Sequence, residues 1–406
     1  MNYDELKTLL AARGQEHILR FWEELSEKER ADLAGQIAKI DWETTELWKH
    51  PEDLGATGEI TPIKSLSLSE IEKRREEFAA AGKNALCEGK VAAVLLAGGQ
   101  GTRLGSDAPK GAYNIGVTRP LYIFEQLINN LLDVCRECGA FVPLLVMTSE
   151  KNDADTRAFF KEHDYFGYPA QCVRFFRQEM APSVDFSGKL FLEEKGRLAL
   201  SPNGNGGWYS SLVRAGLEKE FPTVEWYNVF AVDNVLQRIA DPVFVGATIL
   251  AGVNCGAKGV RKAYPEEKVG VLCYKNGLPS VVEYYELDDK TMRLCDDEGN
   301  LLYSFGVTLN YLFRAEKLRE VAAKKIPVHT VKKKVPHLDE KGELVSPTQE
   351  NGYKFESLIL DMVQLMESCL PFEIVREREF APIKNKTGID SVESARELLK
   401  LNGVKL

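Results

Sequence analysis

The residues best suited to chemistry lie in two short stretches. The first is Gly98, Gly99 and Gly101 with Arg103 and Lys110, inside VAAVLLAGGQGTRLGSDAPKG. Three glycines in four positions let backbone N–H groups approach a ligand without interference from a Cβ. Two cations follow at short range. A loop of exposed amides flanked by Arg and Lys suits phosphate groups. The second stretch is Asp233-Asn234, directly after the apolar run Trp226 to Val232. A carboxylate at the carboxyl end of a parallel strand points into the ligand crevice, and beside phosphates its task is to hold Mg²⁺, a hard ion that takes oxygen ligands. The competing reading of Asp233 is a helix N-cap; predicted phosphate loops nearby favour the metal. Together these features point to a nucleotide or sugar-phosphate site. The loop is neither a Walker A motif, since no Gly-Lys-Ser or Gly-Lys-Thr occurs, nor a dinucleotide fingerprint, since Leu104 stands where the third glycine belongs.

Positioning these residues requires strands that end in the crevice. Val91 to Leu96 is continuously apolar, as in a strand buried on both faces. Tyr113, Ile115 and Val117 alternate as in a short strand. Phe124, Leu127, Ile128, Leu131 and Leu132 form one helical stripe. Val142 to Met147, Cys172 to Phe176 and Trp226 to Val232 read as further strands, with a helix over Asp153 to His163. Alternation of this kind predicts an α/β fold with a mostly parallel sheet. Residues 190 to 200 predict a hairpin turning at Lys195-Gly196. Ala257 to Arg261, Val269 to Tyr274 and Val281 to Tyr285 predict antiparallel strands, Leu301 to Phe313 another, and Ser391 to Leu399 a closing helix.

A second loop, Ser201-Pro-Asn-Gly-Asn-Gly-Gly-Trp208, is either a further ligand loop or an ordinary loop and cap, and its residues alone do not decide. Lys332, Lys333 and Lys334 read as a solvated run. Lys384 sits in a Pro-bounded, partly apolar loop and is a stronger candidate. Residues 1–88 predict a helical extension in which Trp42, Leu47 and Trp48 pack onto the main body. The central domain is expected over 89–330 and a short C-terminal segment over 331–406.

With 44% hydrophobic and 28% charged residues, the 406-residue composition is that of a globular protein. A net charge of -9 argues against a general nucleic-acid binder. No apolar run approaches the roughly 20 residues that cross a bilayer. The stretch MNYDELKTLL has no signal-peptide pattern, and a cytoplasmic protein without membrane partners is expected. Cys135-Arg-Glu-Cys138 lacks a second pair to complete a zinc site.

The glycine stretch resembles the L-x-x-G-G-x-G-T-x-x-G-x-x-x-P-K signature of the eukaryotic-type UDP-sugar pyrophosphorylase family, on the branch that makes UDP-N-acetylglucosamine. The similarity continues through MTSE at Met147, SPNGNGGWY at Ser201, VDN at Val232, DPVF at Asp241, CGAK at Cys255, KAYPEEKVGV at Lys262, VVEY at Val281 and APIKN at Ala381. The resemblance implies a Rossmann-like, GT-A-like nucleotidyltransferase fold and the conversion of UTP and a sugar 1-phosphate to UDP-sugar and pyrophosphate, with Mg²⁺. It implies that Leu96, Ala97, Gly98, Gly99 and Gly101 cradle the uridine nucleotide and that Gln178 and Gly204 read the uracil. Asn205, Glu283, Tyr284 and Asn310 would face the sugar. Arg103 and Lys110 would hold the triphosphate, Asp233 the Mg²⁺, and Lys354 and Lys384 the phosphates. The chain departs from the family in carrying Leu358 and Leu360 where aromatic residues line the sugar pocket, which bears on N-acetyl recognition. Ser106-Asp107-Ala108 also differ from the family before Pro109. Little sequence follows Lys384, so most of the C-terminal β domain is missing and a monomer is expected. Three readings stay open: the N-acetylglucosamine enzyme, a UDP-glucose or broad UDP-sugar pyrophosphorylase, and a non-catalytic sugar-nucleotide sensor.

Overall fold

The computed structural model describes residues 1–49, 58–322, 324 and 326–406. These form two compact units. One comprises the described parts of 55–178, 208–325 and 359–406, and the other those of 1–54, 179–207 and 326–358.

The larger unit is built on a ten-stranded mixed sheet. Its main path runs Ile60–Pro62, Val271–Lys275, Phe305–Arg314, Trp226–Ala231, Val91–Leu96, Leu144–Thr148, Val173–Arg177. The last four strands are mutually parallel. Phe305–Arg314 runs antiparallel to Trp226–Ala231. The Val91 strand shows why a continuous apolar run was needed. Val91, Ala93 and Leu95 enter one hydrophobic cluster, while Ala92, Val94 and Leu96 enter another on the opposite face. Both faces are covered, as in parallel sheets generally. The helix Ile123–Cys138 contributes Phe124, Leu127, Ile128 and Leu131 to the first cluster. Trp208, Leu212, Ile359 and Met362 line the second. Strand order reverses about the Val91 strand, whose successor Leu144–Thr148 lies on one side and Trp226–Ala231 on the other. That reversal places the crevice at the carboxyl ends of the Val91 and Trp226 strands.

Helix Arg75–Cys87 crosses helix Pro242–Leu250 backbone to backbone. A Cβ on Gly82 would overlap the carbonyl of Pro242, and one on Gly246 that of Phe78. Residues 58–88 are therefore part of this unit, and not of an N-terminal extension ending at 88. The buried ammonium of Lys258, on strand Cys255–Arg261, bonds Asp241 at 3.0 Å and Glu379 at 2.6 Å. It ties two distant segments to the sheet.

The smaller unit has its own core, with Leu6, Leu10, Ile18, Leu33 and Ile37 packed on Val184, Leu190, Leu198 and Phe355. Its helices Tyr3–Ala11 and Glu27–Ala38 each begin in a capping box, at Asn2 and at Ser26. A sheet joins His329–Lys333, Gly352–Glu356 and Val184–Asp185, and a hairpin joins Leu192–Glu194 to Arg197–Leu198. Trp42, Leu47 and Trp48 pack on this core. The boundary expected at 330 does not coincide with the observed partition, since 331–358 belongs here and 359–406 to the larger unit.

Two local expectations are corrected. Tyr113, Ile115 and Val117 do not form a strand. The side-chain oxygen of Asn114 accepts from the N–H groups of Gly116 and Leu121, at 2.8 and 3.1 Å, and curls the segment into a turn. The strand expected to reach Tyr285 stops at Val282, leaving Glu283 and Tyr284 in the turn that follows.

Candidate active site

The glycine loop leaves the Val91–Leu96 strand with its early backbone fixed from behind. The N–H of Ala97 donates to Met147 at 2.8 Å. Asn152, fully buried, donates through Nδ2 to the carbonyls of Ala97 and Gly99 at 2.9 and 3.3 Å. Its Oδ1 accepts from the N–H and hydroxyl of Ser149 at 2.8 and 3.0 Å. The side chains of Leu96 and Ala97 are in the core, so only their backbone can meet a ligand. The glycines differ in task. A Cβ on Gly98 would overlap the Gln178 amide, whereas one on Gly99 would meet only open space. Gly99 is the position where a ligand can approach the backbone. Gly101 packs against Ser106, 3.2 Å from where a Cβ would stand. Gln178 is buried and its backbone N–H donates to Thr148 at 2.8 Å.

The cations gather beyond this loop. Arg103 is exposed on the short helical turn Thr102–Leu104. Lys110 opens the turn Lys110–Ala112, held by its N–H donating to Gly99 at 3.2 Å. Its Nζ lies 4.0 Å from Oδ2 of Asp233. Burial pulls Lys110 below the ordinary lysine value; Asp233 pushes it back up, and the nearby charges of Arg103 and Lys384 add to the lowering. Lys384 pairs with Asp390 at 2.9 Å. Its segment runs beside the Asp233 loop: the N–H of Ile383 donates to the Asp233 carbonyl at 2.9 Å, and Asn234 pairs with Pro382. Burial raises Glu283 above the ordinary glutamate value, Glu286 adds to this, and Lys384 opposes it. Arg103, Lys110, Asp233, Lys384 and Glu283 thus share one electrostatic neighbourhood. Tyr284 is exposed and packs edge-on to Tyr285. Asn310 is 1% exposed, with its amide bonded to Asn228 and Gln237.

The remaining expected residues lie in the smaller unit. Gly204 has φ +89, and a Cβ there would overlap the carbonyl of Ser357. The N–H of Gly206 donates to Ser357 at 2.9 Å, and Ser357 donates to Asn203 at 2.7 Å. Asn205 follows Gly204 in this loop and is half-buried. Lys354 lies opposite Val331 in the strand register. Leu358 is half-buried, its backbone 2.9 Å from where a Cβ on Gly206 would be. Leu360, in the larger unit, packs on the second cluster.

The family model for UTP–glucose-1-phosphate uridylyltransferase matches residues 34–402. The chain belongs to that family. It is a UDP-sugar pyrophosphorylase by class, an enzyme of uridylyl transfer. It is 38% identical to the UDP-N-acetylhexosamine pyrophosphorylase-like protein 1 of Homo sapiens, over 97% of this chain and 83% of that relative. It is 34% identical to the UDP-N-acetylglucosamine pyrophosphorylase of Saccharomyces cerevisiae, over 97% and 88%. Among solved structures, the uridine diphosphate N-acetylglucosamine pyrophosphorylase of Trypanosoma brucei matches with a TM-score of 0.82 and 28% identity, over 98% of this chain and 84% of that one.

Sequence reading missed two residues of this candidate site. Asn152 holds the glycine loop from beneath; the available signal was Ser149-x-x-Asn152 between a buried strand and a helix. Asp390 partners Lys384, six residues earlier in a loop that carries no periodic pattern. No helix among the described residues is long and apolar enough to cross a membrane. No group of three or more His, Cys, Asp and Glu side chains able to hold a metal occurs among the described residues.

Proposed function

We propose that the enzyme joins UTP to N-acetylglucosamine 1-phosphate, releasing pyrophosphate, with the chemistry centred on Lys110 and Asp233. The observation that carries this reading is the half-buried Lys110–Asp233 pair at 4.0 Å, set beside the open backbone at Gly99. A phosphate oxygen of the sugar 1-phosphate attacks the α-phosphorus of UTP in line. The new bond is oxygen to Pα; the bond from Pα to the bridging oxygen breaks and its electrons leave with pyrophosphate. Such transfer needs positioning and charge neutralisation more than covalent help. Lys110 and Arg103 neutralise the triphosphate, and Lys384 holds the sugar phosphate. Gln178, seated against Gly98, offers an amide to the uracil edge. Glu283 and Tyr284 face the sugar.

Asp233 fits Mg²⁺, because Mg²⁺ at a nucleotide site takes one or two carboxylates and fills its other positions with phosphate oxygens and water. A single partly exposed carboxylate, Asp233, matches that demand. When bound, the ion supplies further charge neutralisation at the phosphates.

The relatives named above support the N-acetyl sugar. Leu358 and Leu360, in place of the family's aromatic pair, favour a second reading in which glucose 1-phosphate or several sugar phosphates are used. Pyrophosphate release from UTP, compared across glucose, galactose, N-acetylglucosamine and N-acetylgalactosamine 1-phosphates, decides between them. Release that needs no sugar phosphate, or none with any of the four, overturns the proposal.

A further inference from the structure

The backbone from Ala231 to Ala240 carries Asp233 and is closed by three buried amides running head to tail. The N–H of Ala240 donates to Asn228 Oδ1 at 2.7 Å. Asn228 Nδ2 donates to Asn310 Oδ1 at 2.7 Å. Asn310 Nδ2 donates to Gln237 Oε1 at 3.4 Å. Gln237 Nε2 donates to the carbonyl of Ala231 at 2.6 Å. The circuit begins and ends on the backbone either side of Asp233. None of the three side chains exposes more than 1% of its surface.

This arrangement is costly as a way to fill space. Buried amides must all be satisfied, and apolar residues of the same size carry no such penalty. What amides supply is direction: the four bonds of the circuit point the same way around the loop, and Asn228 Nδ2 donates in addition to the carbonyl of Tyr311 at 2.9 Å. The strand ladder does not need them, since Trp226–Ala231 is paired with strands on both sides. Ala240 is held at φ +51, a conformation that a residue other than glycine keeps only where its surroundings enforce it. Other side chains pin the same backbone. Asn130 Nδ2 donates to the carbonyls of Val235 and Gln237 at 2.9 and 3.1 Å, and Lys258 to that of Arg238 at 3.2 Å. Asp233 itself keeps its carboxylate toward Lys110.

We infer that Asn228 and Gln237 are positioning residues for the Asp233 carboxylate, acting through Asn310 and the Ala231–Ala240 backbone. The inference rests on the reading of Asp233 as the metal carboxylate. It assigns these two residues a role in metal placement and none in sugar binding.

The test measures Mn²⁺ binding in the presence of UTP by electron paramagnetic resonance, together with steady-state kinetics. The proteins are wild type, Gln237→Met, Asn228→Leu and Asp233→Asn. Losing one such bond is expected to weaken Mn²⁺ binding about tenfold and lower kcat by a similar factor. KM for the sugar 1-phosphate stays at its wild-type value. Wild-type Mn²⁺ binding in Gln237→Met, with binding lost in Asp233→Asn, overturns the positioning role and leaves the metal assignment standing. Wild-type binding in both overturns the assignment of Asp233 as well. A rise in KM for the sugar 1-phosphate with unchanged Mn²⁺ affinity places the network on the sugar side and also overturns the inference. Where Gln237→Met does not fold, Gln237→Asn keeps an uncharged amide but is one methylene too short to span Asn310 and the Ala231 carbonyl. The same weakening is expected of it, and wild-type Mn²⁺ binding there is equally decisive against the role.

Discussion

The ammonium of Lys110 stands 4.0 Å from the carboxylate of Asp233, with side chains 17% and 27% exposed. This is longer than a strong hydrogen bond and close enough for each charge to stabilise the other. Lys110 therefore remains available to phosphate oxygens and the Asp233 carboxylate to a cation. Lys110→Ala is expected to fold with a wild-type circular dichroism spectrum and to lose roughly 10²–10³-fold in kcat, the usual cost of one preorganised charge. Turnover within a few-fold of wild type would remove Lys110 from the chemistry.

Gly98 and Gly99 separate packing from ligand approach. Gly99→Ala places its Cβ in open space, so its melting temperature should match wild type while KM for UTP rises. Gly98→Ala drives its Cβ into the Gln178 amide, so stability and UTP affinity should fall together. Equal effects of the two substitutions on melting temperature would contradict this division of labour.

Asn152→Ala leaves the carbonyls of Ala97 and Gly99 without their buried donor. The expected loss is about 1–3 kcal/mol in urea denaturation, accompanied by a raised KM for UTP. An unaltered KM would mean that the loop keeps its shape without that amide.

Glu283 sits above the ordinary glutamate value of 4.5, chiefly through burial. Its folded form favours the proton, so the native state holds more protons than the unfolded chain just above that value. Stability from this group is fully present below 4.5 and is lost as pH rises through the higher folded value. Glu283→Gln should accordingly melt higher than wild type at pH 7, with the gap closing in acid, while sugar 1-phosphate turnover drops. A melting temperature below wild type at neutral pH would refute the sign.

Lys258 is 1% exposed and neutralises both Asp241 and Glu379. Lys258→Met leaves two buried carboxylates with only Arg238, 3.4 Å from Asp241, to offset them, and is expected to cost about 3–5 kcal/mol in chemical denaturation. A change below about 1 kcal/mol would indicate that the carboxylates take up protons without strain.

The sheet was readable because Val91–Leu96, Leu144–Thr148 and Trp226–Ala231 are buried on both faces and so are apolar without alternation. The glycine loop and its cations were readable because the types and spacing were unusual. Tyr113-Asn114-Ile115 misled because an alternating pattern cannot show that the Asn114 side chain caps its own turn. The contacts of Asn152 and of the Asn228, Asn310 and Gln237 amides could not be read, since their partners are backbone groups and each other across long sequence separations. The smaller unit is assembled from three separated segments, and no local pattern reveals that Leu6, Val184 and Phe355 share one core.

The contact between Gly82 and Gly246 bears on how the enzyme can be shortened for study. A version begun at Val91 deletes the helix that lies backbone to backbone against Pro242–Leu250, and removes Phe78, Ala85 and Leu86 from the first cluster. Trimming to the glycine loop would yield a sticky, aggregation-prone fragment instead of a minimal catalyst.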